Sequence, residues 1–467
     1  MLNKQFLILF LLPVQLIAQN LSGKWYSSFR IAGTAQRIDL LIGQNEKGAT
    51  VDLVFPDLDT LKRHSTDQVV VNDTLVAFSW TKRALKFDGK FIASEGIIRG
   101  EMQQSGLDWE VTFYRDPQPV IEIKRPQEPN SADGYSVREV QIPNGDVALG
   151  ATIFFPKLSE NGKIPLVIMA SGSGPQNRDC ELMGHKPFLV MADHLAKNGI
   201  AVLRFDDRGM GKSTGVFQTA SLKDFASDIN ACVKFIKRDK ELGKRVQIGI
   251  AGHSEGGMHA LMVAAKNKDV RFILELASVG TSGKDVLIRQ QYLIPLKAGL
   301  SEEYARWNSA VFAGMCRIIS NYTAEKVQDP MYTFLDSMYV LAPQEFRDET
   351  EPMAFKFQIM LFGNNDWMRQ FVTFESKDYL KKIKVPILVV NGGQDIQVPP
   401  TEALEGYDKH ISKRSRAQSK LILAPDLNHL FQKCNTCDIQ EYGDLEETVS
   451  PFVLHTMTQW IKGIQLD

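Results

Sequence analysis

Cysteine is scarce in this sequence: five in 467 residues, an odd number. That is too few for a disulfide framework, so a buried apolar core must hold the fold. An imbalance of charge is equally missing, because 54 Lys plus Arg stand against 55 Asp plus Glu for a net charge of -1. This excludes the broad basic footprint of a nucleic-acid or anionic-membrane binder. No uninterrupted apolar run approaches the ~20 residues that span a bilayer, so no stable membrane span is expected. With 44% hydrophobic and 23% charged residues, the composition also leaves no room for a disordered, collagen-like or coiled-coil chain. What remains is a globular chain long enough for two or three domains.

At the N-terminus Lys4 precedes a mostly apolar run from Phe6 to Ala18, interrupted by Pro13 and Gln15. At about 13 residues it has the length of an export signal rather than a membrane helix. We expect residues 1–18 to be a cleaved signal peptide, Gln19 to start the mature chain, and the protein to be periplasmic or secreted. Cys180, Cys232 and Cys316 stand alone and suit small buried hydrophobes. Cys434 and Cys437 form a Cys-x-x-Cys, fitting a disulfide or two unpaired thiols in an oxidising compartment better than zinc, which would need two more ligands.

Residues 19–117 alternate between short apolar stretches (Arg37 to Ile42, Ala49 to Phe55, Gln68 to Val71, Leu75 to Trp80, Trp109 to Tyr114) and Gly, Asn and Asp turns. This pattern predicts an antiparallel β meander. Its opening, Leu21-Ser22-Gly23-Lys24-Trp25, resembles the Gly-x-Trp start of lipocalin-like barrels and equally suits a Gly turn before a core Trp. Pro117, Pro119, Pro126 and Pro129 mark residues 118–132 as a linker. From Asp133 strands alternate with helices. A hairpin of Tyr135 to Ile142 and Val147 to Phe155 leads into apolar strands at Pro165 to Ala170, Ile200 to Phe205, Val246 to Ala251, Phe272 to Leu276, Pro386 to Val390 and Lys420 to Leu423. Leu222, Phe225, Ile229, Val233 and Ile236 recur at helical spacing between them. The expected fold class is α/β: a mainly parallel sheet with helices on both faces, preceded by a small antiparallel β domain.

The chemistry concentrates at Gly252-His253-Ser254-Glu255-Gly256, set between the strand Val246 to Ala251 and a helix. A strand-to-helix turn with glycines on either side lifts the Ser254 hydroxyl above the sheet at a helix N-terminus. A serine is a weak nucleophile until a base takes its proton and a third group orients that base. Two later strands each run into such a group, Asp395 after Pro386 to Val390 and His429 after Lys420 to Leu423. Alone, Asp395 would also suit a helix cap and His429 a core position, and Asp426 competes as the acid. The order Ser254, Asp395, His429 places them in one triad. The loop Ser171-Gly172-Ser173-Gly174 lacks the Lys-Ser/Thr ending of a nucleotide loop. We assign the backbone N–H groups of Ser173 and Glu255 to an oxyanion hole, with Gly172 and Gly174 bordering the substrate. We expect no cofactor and no metal.

These segments, with Asp206-Asp207-Arg208-Gly209-Met210-Gly211-Lys212-Ser213, resemble the serine aminopeptidase-like and carboxylesterase branch of the α/β-hydrolase superfamily over residues 133–467. The resemblance implies hydrolysis of a small acyl ester, with a short peptide or thioester as alternatives for the same triad. A non-catalytic glycan- or lipid-binding protein is the remote alternative. Ser171 stands where the family more often has His. Arg208 is expected to pair with Asp206 or Asp207. Residues at about 281–375, rich in aromatic and Met side chains, are expected to form a helical cap, a minority of which line an acyl pocket over Ser254.

Overall fold

The computed structural model describes residues 21–465 except 32–33, 58, 105–106, 120–122 and 158–163. The expected signal peptide lies outside the described residues. The chain divides into two compact units, Met1–Ile123 and Lys124–Asp467.

Among the described residues nine strands build the first unit: β1 (Gly23–Ile31), β2 (Thr34–Asn45), β3 (Gly48–Phe55), β4 (Asp59–Ser65), β5 (Asp67–Val71), β6 (Leu75–Trp80), β7 (Leu85–Ile92), β8 (Ile97–Gln104) and β9 (Leu107–Phe113). Each pairs with its sequence neighbour within β1–β4 and within β5–β9. The two sheets meet where Thr66 N donates to Val51 O, and again where Tyr26 and Tyr114 exchange backbone hydrogen bonds of 2.8 Å. Strands β4, β7 and β8 lie outside the apolar stretches read from the sequence, which meets β1 only at its Gly23-Lys24-Trp25 start. In β7 and β8 Gly89 faces Gly100, and the Phe87 ring covers the pair in place of the missing side chains. Trp25 is fully buried, donates Nε1 to Leu21 O at 2.9 Å, and lies under the Arg115 guanidinium, 3.9 Å from the ring centre.

The second unit opens with the hairpin β10 (Tyr135–Asn144) and β11 (Val147–Pro156), turning at Gly145 with φ 61°. Then follow β12 (Ile164–Ala170), α1 (Pro187–Lys197), β13 (Ala201–Phe205), α2 (Leu222–Arg238), β14 (Val246–His253), α3 (Glu255–Ala264) and β15 (Val270–Leu276). Seven helices intervene among the described residues: α4 (Gly283–Lys297), α5 (Glu302–Asn321), α6 (Gln328–Val340), α7 (Gln344–Glu349), α8 (Pro352–Gly363), α9 (Asp366–Thr373) and α10 (Ser376–Leu380). The unit closes with β16 (Ile387–Gly392), α11 (Pro400–His410), α12 (Lys413–Arg416), β17 (Lys420–Ala424) and α13 (Pro451–Gly463). The sheet runs β10-β11-β13-β12-β14-β15-β16-β17, antiparallel through β10, β11 and β13 and parallel from β13 onward. Its central strands are buried on both faces, as a parallel sheet under two helical layers requires. Because parallel strands end at one edge, the loops after β12, β14, β16 and β17 all open on the same side.

Two local expectations change. The later part of the stretch read as a linker, from Lys124, belongs to the second unit: Arg125 donates to Gly443 O at 2.7 Å and to Leu445 O, and Gln127 Oε1 accepts from Thr448 N at 2.6 Å. Arg208 does not pair with Asp206 or Asp207. It lies on Asp228 of α2 through Nε and Nη2, both at 2.8 Å, while Asp206 takes Arg178. Helix α2 brings the buried Asp228 carboxylate against the guanidinium, while Asp206 and Asp207 are taken up by Arg178 and by Ser171 and Gln176.

Candidate active site

Ser254 sits at the end of β14 with φ 55° and ψ -123°, a backbone conformation that L-residues rarely adopt. The turn is held by Ser254 N donating to Leu276 O at 2.9 Å, and by Gly257 N reaching back to Ser254 O at 3.1 Å. Glycine is required beside it, because a Cβ at Gly256 would overlap the carbonyl oxygens of Ala170 and Ser171. Close packing of α3 on the end of β12 therefore selects the small residue. Gly172 serves on the facing loop, where a Cβ would come within 3.1 Å of Ser254 Cβ.

Asp395 follows β16 and His429 follows β17, and His429 Nδ1 lies 2.7 Å from Asp395 Oδ2. A carboxylate oxygen accepts, so Nδ1 is the donor of this pair and Nε2 is the ring nitrogen left for another partner. Gln397 N and Val398 N donate to the other oxygen, Asp395 Oδ1, at 2.8 and 2.9 Å. Asp395 is 3% exposed and His429 4%. The two loops are tied together by Gly393 N to Ala424 O at 2.6 Å and Gln394 N to Leu427 O at 2.9 Å. Asp426, the competing acid, is exposed and holds no ion pair with His429. Ser254 is half-buried, and its Oγ makes no hydrogen bond among the described residues. The structure thus joins acid and imidazole and sets the serine at the same edge, without closing a serine–imidazole bond.

Several neighbours escaped sequence reasoning. His253 Nε2 donates to His429 O at 3.0 Å, and its ring centre lies 4.8 Å from that of His429. Burial pushes the His253 imidazole down to about 3, so it is neutral and works as a fixed donor. Its position between Gly252 and Ser254 was the available signal. Asn428 accepts Leu430 N and Gln432 N at 3.0 and 2.9 Å, which fixes the turn after His429. Asp207 takes Ser171 Oγ at 2.7 Å and Gln176 N at 3.0 Å, yet burial pushes its carboxyl up to about 7.

Of the loop residues, Gly172 and Gly174 border a cavity of about 230 Å³ that also meets Asp207, Glu255, Phe217 and Trp367. Ser173 turns its side chain to Glu255, with Oγ donating to Oε2 at 2.6 Å. Trp367 of α9 donates Nε1 to Glu255 Oε1 at 2.7 Å, so one aromatic residue of the helical segment reaches the elbow. Trp307, Phe355 and Met315 are instead buried in the core. Among the described residues no cluster of His, Cys, Asp and Glu could hold a metal ion. No helix among them is long and apolar enough to cross a membrane. Cys434 and Cys437 are joined as a disulfide.

Comparison with known proteins gives the same fold. The chain is 24% identical over 355 residues to Esterase EstD of Thermotoga maritima, covering 74% of this chain and 71% of the relative. It is 22% identical over 339 residues to an uncharacterized 31.7 kDa protein of the traX-finO intergenic region of Escherichia coli, covering 69% and 99%. A solved esterase of Pyrococcus furiosus aligns at 19% identity with a TM-score of 0.42, over 74% of this chain and 97% of that one. The family model described as alpha/beta hydrolase fold matches residues 166–434, more than half of the sequence. With that match spanning the strand carrying the Ser171 loop, the elbow and both later loops, the chain belongs to the alpha/beta hydrolase fold family.

Proposed function

We propose that this protein hydrolyses carboxylic esters through an acyl-enzyme formed on Ser254. The observation that carries the reading is the buried His429–Asp395 hydrogen bond of 2.7 Å, on the sheet edge where the Ser254 elbow opens. With Nδ1 held as a donor, His429 Nε2 accepts the Ser254 proton as Oγ attacks the acyl carbon, and Asp395 steadies the imidazolium that forms. The tetrahedral oxyanion is received by the backbone N–H groups of Ser173 and Glu255. The imidazolium then protonates the departing alcohol, and water repeats the sequence to free the acid. The esterase name of a 24% identical relative favours an ester over a peptide or thioester. We further propose an exported protein, supported by the N-terminal apolar run and by the Cys434–Cys437 disulfide, which persists in an oxidising compartment.

A fluorophosphonate probe should label Ser254. Ser254→Ala should abolish labelling and lower kcat on an activated acetyl ester by on the order of 10³-fold or more, with the fold retained. Stoichiometric labelling of a different serine would refute the assignment.

A further inference from the structure

The Glu255 side chain is bound more heavily than a residue one step beyond a nucleophile needs. It is 2% exposed. Oε2 accepts Ser173 Oγ at 2.6 Å, and Oε1 accepts Trp367 Nε1 at 2.7 Å. His259 Nε2 stands 3.2 Å from Oε1, off the hydrogen-bonding direction. These partners come from three places: the loop after β12, helix α9 of the segment between β15 and β16, and α3 itself. Burial alone would push the Glu255 carboxyl up. The His259 imidazole and the Ser173 and Trp367 donors reverse this and hold it below the ordinary carboxylate value. The carboxylate therefore has both oxygens engaged, and its backbone is fixed by the elbow.

Trp367 and Glu255 both line the 230 Å³ cavity, alongside Gly172 and Gly174 of the Ser173 loop. Trp367 is steadied from behind by Phe371, at 5.3 Å between ring centres. One carboxylate thus connects a wall of the cavity to the loop whose N–H serves the oxyanion. We propose that the Glu255 side chain is a positioning residue that couples the seating of Trp367 over the cavity to the placement of the Ser173 backbone N–H. This rests on the acyl-enzyme reading above. An oxyanion donor displaced by a fraction of an ångström loses most of its value in the transition state while ground-state binding changes little.

Glu255→Gln tests it, because the amide offers one acceptor oxygen and must turn its NH2 toward one of the two donors. On an activated acetyl ester, kcat should fall about 10- to 100-fold with KM within about threefold. Trp367→Phe keeps a ring and removes the N–H, and should lower kcat by about three- to tenfold. In the double variant the losses should not multiply, since both act through one carboxylate. Unchanged kcat in Glu255→Gln, or losses that multiply, would overturn the proposal. A carboxylate of structural value alone would lower Tm and leave kcat intact. If Glu255→Gln does not fold, Ser173→Ala replaces it in the same cycle with Trp367→Phe, with non-multiplying losses of about three- to tenfold again expected. Fluorophosphonate labelling separates the levels: a wild-type chain neither labelled nor active overturns the acyl-enzyme reading itself, whereas a labelled wild type with unaltered Glu255→Gln overturns only the coupling.

Discussion

Two carboxylates compete for the His429 imidazole, and burial decides between them. Asp395 is enclosed, accepts two backbone N–H groups on one oxygen, and gives the other to His429. Asp426 is three residues from His429 in sequence but faces solvent. Asp395→Asn should therefore lower kcat by roughly 10²- to 10⁴-fold, while Asp426→Asn should change it by less than about tenfold. Steady-state kinetics of the two variants check this, and the reverse ranking would misplace the acid. A third carboxyl, Glu275 of β15, is fully buried, and burial pushes it up to about 8 although Tyr407 Oη donates to it at 2.8 Å. Its folded value lies above its unfolded one, so between about pH 4.5 and 8 the folded state holds the extra proton and stability falls as pH rises. Glu275→Gln removes this term. Denaturation from pH 5 to 8 should give the variant a slope flatter by about 1 kcal/mol per pH unit, and equal slopes would contradict a buried neutral carboxyl.

Helix α3 starts close beneath the end of β12. A methyl group at Gly256 would collide with backbone carbonyls of Ala170 and Ser171, which lack the freedom of a flexible side-chain tip. Gly256→Ala should therefore lower stability by about 1–3 kcal/mol and push the Ser171–Gly174 loop outward. Thermal melts and kcat should fall together, and wild-type values of both would show that the helix can retreat without disturbing the loop. Helix α3 contributes its first turn to this packing, which explains why the pentapeptide matters only between a strand and a helix.

At the scale of the whole molecule, the boundary between the units follows hydrogen bonding more closely than proline content. Residues 124–132 look like a linker in sequence, yet they lie inside the second unit, where Arg125, Gln127 and Glu128 all bond to later residues, the last to Lys186 at 3.1 Å. We propose that this unit folds by itself when it includes them. A chain beginning at Lys124 should melt several degrees above one beginning at Asp133, because the shorter chain leaves the Thr448 and Val449 amides without Gln127. Equal melting temperatures would return the segment to linker status.

The α/β pattern was legible because its strands are short, uniformly apolar and separated by helices, a signature that local sequence carries. The elbow, Asp395 and His429 were legible for the same reason, as each lies in the loop after such a strand. Pairing between distant residues was not. Nothing near Arg208 in sequence names Asp228, nothing near Trp367 names Glu255, and Glu275 looks like any strand residue until α11 brings Tyr407 over it. Strands β7 and β8 escaped although β7 alternates buried and exposed positions from Leu85 to Lys90, because Gly89 and Gly100 look like turn residues until they face each other across the sheet. The alternating strands and helices of the second unit, and the loops that carry Ser254, Asp395 and His429, follow from nearest-neighbour periodicity and turn chemistry. Which carboxylate meets the imidazole, which polar groups lose their water and how the helical segment touches the elbow were decided only by tertiary packing, because desolvation and long-range hydrogen bonds exist only once the chain has folded.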